Sequence, residues 1–277
     1  MNRIYKFILF PAFIILITSC RFEVSPWDYD FQCDTLNLDS NLMWLKQIEK
    51  QTVNTPDFSI AIVGDPQNYV GDFELTIAKI NKIEEVDFIL LLGDLTEIGV
   101  KQEYDWACKA ASHAKKPILS VIGNHDALSY GREIWLNTIG PYEYTFTYKH
   151  TKFIAYNDNK YEFPDVPNKS WLQQEALIGD TETRYHTIGM SHIEPWWDID
   201  FTFTDELKAF GFDLMLHAHS HKFSYWYKPS VKLPHLITAN TRDVKYTKVN
   251  FTPNDISVEQ CEPECIPATA VNWSDIP

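Results

Sequence analysis

Apolar residues along this chain gather into short runs separated by stretches of helical period, an alternation that predicts strands joined by helices. Phe58–Val63, Asp87–Leu92 and Pro117–Ile122 are runs of strand length with few polar interruptions, as expected where a strand is covered on both faces. Between them, Phe73–Ile83 and Gln102–Lys115 place apolar side chains at helical spacing. Farther along, Glu143–Tyr148 and Lys152–Ala155 alternate like a hairpin with His150 and Thr151 near its turn, Ser170–Leu177 reads as a helix, and Arg184–Met190 and Phe212–Leu216 read as strands. The closing runs Phe223–Tyr227, Leu236–Ala239 and Val244–Phe251 are expected as strands of a second sheet. Before the first strand, a tether through Ser40 leads into a short amphipathic helix around Leu42, Leu45 and Ile48.

Five of these apolar runs end the same way, on a small residue followed by a potential metal ligand. They are Gly64-Asp65, Gly93-Asp94, Gly123-Asn124, Ser191-His192 and Ala218-His219. Small residues let backbone and ligands crowd around a common centre. Taken alone, Gly123-Asn124-His125-Asp126 also fits an ordinary polar turn. The recurrence weighs against that. Asp65, Asp94 and Asn124 are 29 and 30 residues apart, the length of a βαβ unit, and right-handed crossovers bring successive strand ends to one edge of a sheet. Strict alternation puts His219 and His221 on one side of an extended segment, where two imidazoles can converge on a cation. His217 shares that parity and reads as a packed histidine or a brace behind the ligands. His113, His150, His186 and His235 have no comparable context and read as structural or surface residues. There is no internal repeat, P-loop, GxGxxG or nucleophile elbow.

The first residues change the picture of where the chain works. Arg3 and Lys6 precede an apolar stretch, Phe7–Thr18, that closes on Ser19-Cys20. This is a secretory signal over 1–19, too short and too interrupted by Pro11 to span a bilayer comfortably. It resembles a bacterial lipoprotein signal, which implies cleavage before Cys20, a lipid anchor there, and a mature chain held at the cell envelope outside the cytoplasm. Arg21, rather than Asp, agrees with outer-membrane sorting of a Gram-negative bacterium under the enterobacterial rule. Without the signal the formal charge moves from −14 to −16, which disfavours a nucleic-acid polymer as partner. Of the remaining cysteines, Cys108 lies in a helical pattern and reads as a buried thiol, while Cys261 and Cys265 read as terminal staples, with Cys33 a candidate partner.

In order, Asp65-Pro66-Gln67, Gly93-Asp94, Gly123-Asn124-His125-Asp126, His192 and Ala218-His219-Ser220-His221 resemble the motif series of the calcineurin-like metallophosphoesterases, over 57–251, with 20–56 as anchored tether and helix and 252–277 as an extension. The resemblance implies a four-layer α/β sandwich, two mixed sheets flanked by helices, with a dinuclear metal site at the strand C-terminal ends. It implies that Asp94 bridges two cations, with Asp65, Gln67 and His221 on one and Asn124, His192 and His219 on the other, and that a bridging hydroxide attacks a phosphomonoester or phosphodiester. His125 then steadies the transition state or protonates the leaving oxygen, Asp126 orients it, and Glu97 is a candidate support from behind. Two positions depart from the family pattern. Ala218 stands where glycine is usual, and Gln67 stands where histidine is usual; an amide oxygen suits harder ions such as Mn²⁺ and suits Zn²⁺ less, so the implied pair is two divalent ions, Mn²⁺ favoured, with iron or Zn²⁺ as alternatives. The expected substrate is a phosphorylated small molecule or peptide. Trp196 and Trp197, or Tyr225-Trp226-Tyr227, offer either stacking for a flat group or core packing. A catalytically weak member that binds a phosphorylated ligand is the alternative reading.

Overall fold

The computed structural model describes residues 30–52, 55–179, 183–195 and 202–275. The signal segment, Cys20, Trp196 and Trp197 lie outside the described residues.

Helix α1 (Leu38–Gln51) leads into β1 (Phe58–Val63), α2 (Val70–Ile80), β2 (Val86–Leu91), α3 (Lys101–Ala111) and β3 (Ile118–Ser120). Helix α4 (Gly131–Thr138) and the antiparallel pair β4 (Tyr144–Tyr148) and β5 (Thr151–Ala155) follow. Next come α5 (Lys169–Leu177), β6 (His186–Met190), α6 (Thr202–Phe210), β7 (Leu214–His217), β8 (Ser224–Tyr227) and β9 (Pro234–Ile237). The chain closes with β10 (Tyr246–Phe251), β11 (Ile256–Cys261), β12 (Cys265–Ala268) and β13 (Val271–Asn272).

These strands form two mixed sheets, ordered β12-β11-β10-β1-β2-β3 and β13-β8-β9-β7-β6-β5-β4. In the first, β1, β2 and β3 run parallel, and in the second β5, β6, β7 and β9 do. Alternate residues of β1 and β2 explain the layering. Ala61, Val63, Ile89 and Leu91 face outward onto Phe73, Ile77, Tyr104, Ala107 and Trp135 of α2, α3 and α4. Ile60, Ile62, Phe88 and Leu90 face inward onto Phe153, Ile188, Leu214 and Leu216 of the second sheet. The far face of that sheet carries Ile154 and Met215 against Leu172, Phe203 and Leu207 of α5 and α6. The result is the expected four-layer α/β sandwich. Phe58 stacks on Phe251 at 4.6 Å and meets Tyr148 edge-on at 5.1 Å at the sheet interface; each such ring contributes about 1.5–3 kcal/mol on burial.

Three expectations are corrected. Val244–Phe251 was expected in the second sheet, but β10 pairs antiparallel with β1 in the first, with Ile60 opposite Val249. A periodic strand carries no signal for which sheet edge it joins. Cys108 is not a free thiol but is bonded to Cys33, and Cys261 is bonded to Cys265 across the β11–β12 turn. The segment read as a tether is packed over its described part, with Leu36 buried in the core, while the helix expected around Leu42, Leu45 and Ile48 is present as α1, where Asn41 accepts a hydrogen bond from Ile118 N at the start of β3. Beyond 251, β11 extends the first sheet next to β10. Among the described residues no helix is long and apolar enough to cross a membrane.

Candidate metal centre

Parallel β1, β2, β3, β6 and β7 all deliver their C-terminal ends to one edge, where the two sheets meet. Backbone hydrogen bonds lock those ends together: Asp65 N to Gly93 O at 3.2 Å, Gln67 N to Asp94 O at 3.1 Å, and Ala218 N to His192 O at 2.9 Å. The crowding explains the small residues. A Cβ on Gly93, whose φ is +88°, would fall 2.6 Å from His192 Nδ1, and one on Gly123 would fall 2.1 Å from Asp94 Oδ1. Asp65, Asp94, His219 and His221 themselves take left-handed backbone angles, φ +49°, +54°, +63° and +60°. Such strain in non-glycine residues collects at functional sites. For the two histidines it replaces the expected extended segment: the chain bends at each, Ser220 N donates to Ala218 O, and the imidazoles reach different neighbours.

Side chains from the ends of β1, β6 and β7, and the backbone after β3, converge on Asp94 at the end of β2. His192 Nε2 lies 3.2 Å from Asp94 Oδ2 and 4.0 Å from Asp65 Oδ1, and His219 Nδ1 lies 3.2 Å from His192 Nε2. His221 Nε2 is 3.5 Å from Asp65 Oδ1. Gln67 donates its amide Nε2 to Asp94 Oδ2 at 2.6 Å, and His125 N donates to Asp94 Oδ1 at 3.0 Å. Two groups close enough to hold a cation each result, Asp94-His192-His219 and Asp65-Asp94-His221, and they share Asp94. His192 Nδ1 faces Leu92 O at 2.7 Å. A carbonyl only accepts, so Nδ1 carries a proton and Nε2 is the nitrogen turned into the site.

The buried polar atoms test whether cations fit. Both carboxylate oxygens of Asp65, fully excluded from solvent, and Oδ1 of Asn124 have no hydrogen-bond partner. Buried acceptors are ordinarily paired, and a dry, unpaired carboxylate is costly unless a cation neutralises it. Burial, with the Asp94 charge adding to it, holds the Asp65 carboxyl well above the usual range. Burial favours the neutral form of His192, but the charge and hydrogen bond of Asp94 prevail and push it up to about 10. His219 is driven down to about 4 by burial and by the His192 charge. Groups displaced this far from their ordinary values mark a functional site.

The family model for calcineurin-like phosphoesterases matches residues 58–223, more than half of the chain. The chain belongs to the calcineurin-like phosphoesterase family. Among curated proteins none matches it in sequence. Among solved structures, a purple acid phosphatase from yellow lupin (Lupinus luteus) aligns with TM-score 0.60 at 12% identity over 80% of this chain, which spans 55% of that protein's length. GAP50, the anchor in the inner membrane complex of Plasmodium, aligns with TM-score 0.56 at 16% identity over 79% of this chain and 92% of its own. At such identities the likeness is one of fold.

Within this phosphoesterase domain, the expected partnership of His125 and Asp126 is not what holds His125. His125 Nδ1 faces the carbonyl of Glu97 at 2.6 Å, so the backbone of the Asp94 loop sets the ring. The Asp126 carboxylate turns away, accepting from Gly123 N, Thr96 N and Thr96 Oγ1, each at 3.0 Å, and so ties the Asp94 loop to the Asn124 loop. Burial and the Asp94 charge push it up to about 7. Glu97 sends its carboxylate outward to Asn68 Nδ2. Trp226 packs flat on His235 at 4.4 Å, so core packing accounts for it. Asp158 was missed: its Oδ1 accepts from Ile193 N at 3.2 Å, directly after His192. The signal was present, since Asn157-Asp158-Asn159 follows β5 as the other polar groups follow their strands.

Proposed function

We propose that this chain hydrolyses phosphoric esters with a pair of divalent cations held at the edge where the two sheets meet. The observation that carries the reading is the pair of ligand groups sharing Asp94, together with the unpaired oxygens of Asp65. Asp65, Asp94 and His221 would hold one cation, and Asp94, Asn124, His192 and His219 the other. Gln67 acts first as a clamp on Asp94 Oδ2, and its amide oxygen is the ligand atom it has left to give. When bound, such a pair supplies charge for the phosphoryl oxygens and acidity for a water. His125, partly exposed and with Nδ1 committed to Glu97 O, presents Nε2 to the leaving oxygen.

The direct experiment is a panel assay of the purified protein, stripped and reloaded with metal, against monoesters, diesters, nucleotides and phosphopeptides. Turnover that requires the metal supports the reading. Two bound metals with no turnover on any substrate would favour a ligand-binding member instead. We further place the protein at the cell envelope, anchored through lipid on Cys20. The signal supports this, and so do two disulfides, Cys33–Cys108 and Cys261–Cys265, which persist in oxidising compartments. Fatty-acid labelling equal in wild type and Cys20→Ser, or absent from both, would sink the anchor.

A further inference from the structure

Behind the ligands runs a row of buried polar side chains that the proposed chemistry does not use. Ser191 Oγ lies 3.0 Å from His217 Nδ1, His217 Nε2 lies 3.1 Å from His235 Nδ1, and His235 Nε2 lies 3.3 Å from Thr204 Oγ1. All four residues are fully excluded from solvent. The two imidazoles are parallel at 5.3 Å, and His235 is stacked on Trp226.

The placement of this row along the chain gives it meaning. Ser191 immediately precedes His192, and His217 stands two residues before His219. The Ser191–His217 bond therefore links the ends of β6 and β7 at the point where each releases a ligand. His192 is also held from its other side, where Ile193 N donates to Asp158 Oδ1. His217 O accepts from Thr238 N, fixing it to the end of β9.

We infer that Ser191 and His217 are positioning residues, whose buried side-chain hydrogen bond, anchored by His235 and Thr204, adds to the backbone bonds Ser191 N to Leu216 O and Ala218 N to His192 O in fixing the separation of His192 and His219. The inference rests on the metal-dependent reading above. Each neutral imidazole has one N–H and one lone pair. The row is therefore satisfied only if every bond points the same way, Ser191 towards Thr204 or the reverse. A break at Ser191 leaves a buried imidazole nitrogen unpaired and loosens the strand end that carries His192, which its backbone bonds still join to β7. A break at Thr204 has the same local cost but touches neither ligand-bearing strand end.

The test compares Ser191→Ala with Thr204→Val in the full chain. Mn²⁺ affinity is measured by competition with a chromophoric chelator, alongside thermal unfolding of the stripped protein. Ser191→Ala is expected to weaken Mn²⁺ binding about 10- to 100-fold, the usual worth of groups that orient ligands. Thr204→Val is expected to lower the unfolding midpoint comparably but keep the affinity within about twofold of wild type. If Ser191→Ala does not fold, Ser191→Cys, with a weaker donor in nearly the same space, replaces it and should lose affinity in the same direction. Wild-type affinity in the Ser191 variant, or an equal loss in Thr204→Val, would overturn the positioning role alone. A wild type that binds no metal would overturn the functional reading and this inference with it.

Discussion

His192 Nε2 lies 3.2 Å from Asp94 Oδ2 with both side chains excluded from solvent, and Asp94 belongs to both groups of potential ligands. Removing its charge should therefore disturb two cations at once, whereas removing the Gln67 amide disturbs its clamp and one. Asp94→Asn is expected to retain well under its full metal complement and to lose more activity than Gln67→Ala, as metal analysis of the purified variants will show. Two tightly bound metals persisting in Asp94→Asn would contradict the shared role.

Metal preference should follow Gln67. The amide offers a neutral oxygen where an imidazole would offer nitrogen, and such a donor suits Mn²⁺ better than Zn²⁺. After chelation, Mn²⁺ is expected to restore more activity than Zn²⁺, and Gln67→His should move the preference towards Zn²⁺. An unchanged preference in that variant means the amide is not setting it.

The Cys33–Cys108 disulfide joins residues 75 apart, fixing the segment before α1 to the helix that supports the site loop through Tyr104 and Asp126 O. Replacing both cysteines with serine should cost about 2–4 kcal/mol of stability, read from a lower denaturant midpoint with the slope fitted separately, since the released unfolded chain exposes more surface. Metal content should stay at the wild-type value, since neither cysteine reaches the ligands. A midpoint within error of wild type would assign the bond no stabilising part.

Most of the candidate site was legible because its potential ligands obey a local rule: a strand ends, a small residue follows, and the candidate ligand comes next. Asp65, Asp94, Asn124, His192 and His219 all conform, and the parallel topology then brings them together. What escaped reading depends on the third dimension. That β10 pairs with β1, that Cys108 meets Cys33, and that Glu97 O rather than Asp126 holds His125 are facts of register and loop closure that no periodicity carries. Left-handed bends at His219 and His221 were hidden for a related reason, since only the closed site forces them on non-glycine residues.

His235 sets a pH dependence that can be isolated. Burial depresses its pKa to about 3, below the value of the unfolded chain. Below pH about 6.5 the unfolded chain takes up a proton that the folded imidazole refuses, so stability falls as the pH is lowered from there towards 3, by roughly 1.4 kcal/mol per unit, and levels off beyond. His235→Phe removes the term. Unfolding free energies of the two proteins should differ by a constant above about pH 6.5, and the difference should drift in favour of the variant below it. A difference that stays flat down to pH 4 would mean that His235 titrates normally in the fold.

His125 offers the sharpest separation of chemical roles. Its Nδ1 must carry a proton, because its partner is the Glu97 carbonyl, so Nε2 is the atom free to exchange one with substrate. The value of that proton depends on the leaving oxygen. An alkoxide needs it, while nitrophenolate departs largely unaided. His125→Ala is therefore expected to lose roughly 10²- to 10⁴-fold in rate on an alkyl phosphate, the usual worth of general acid catalysis, and distinctly less on nitrophenyl phosphate. Both metals should remain, since the ring is no member of either ligand group. An equal loss on the two substrates with metals retained would instead make His125 an electrostatic partner of the phosphoryl oxygens. Loss of metal would make the imidazole a ligand, and the split of the site around Asp94 would have to be redrawn to include it.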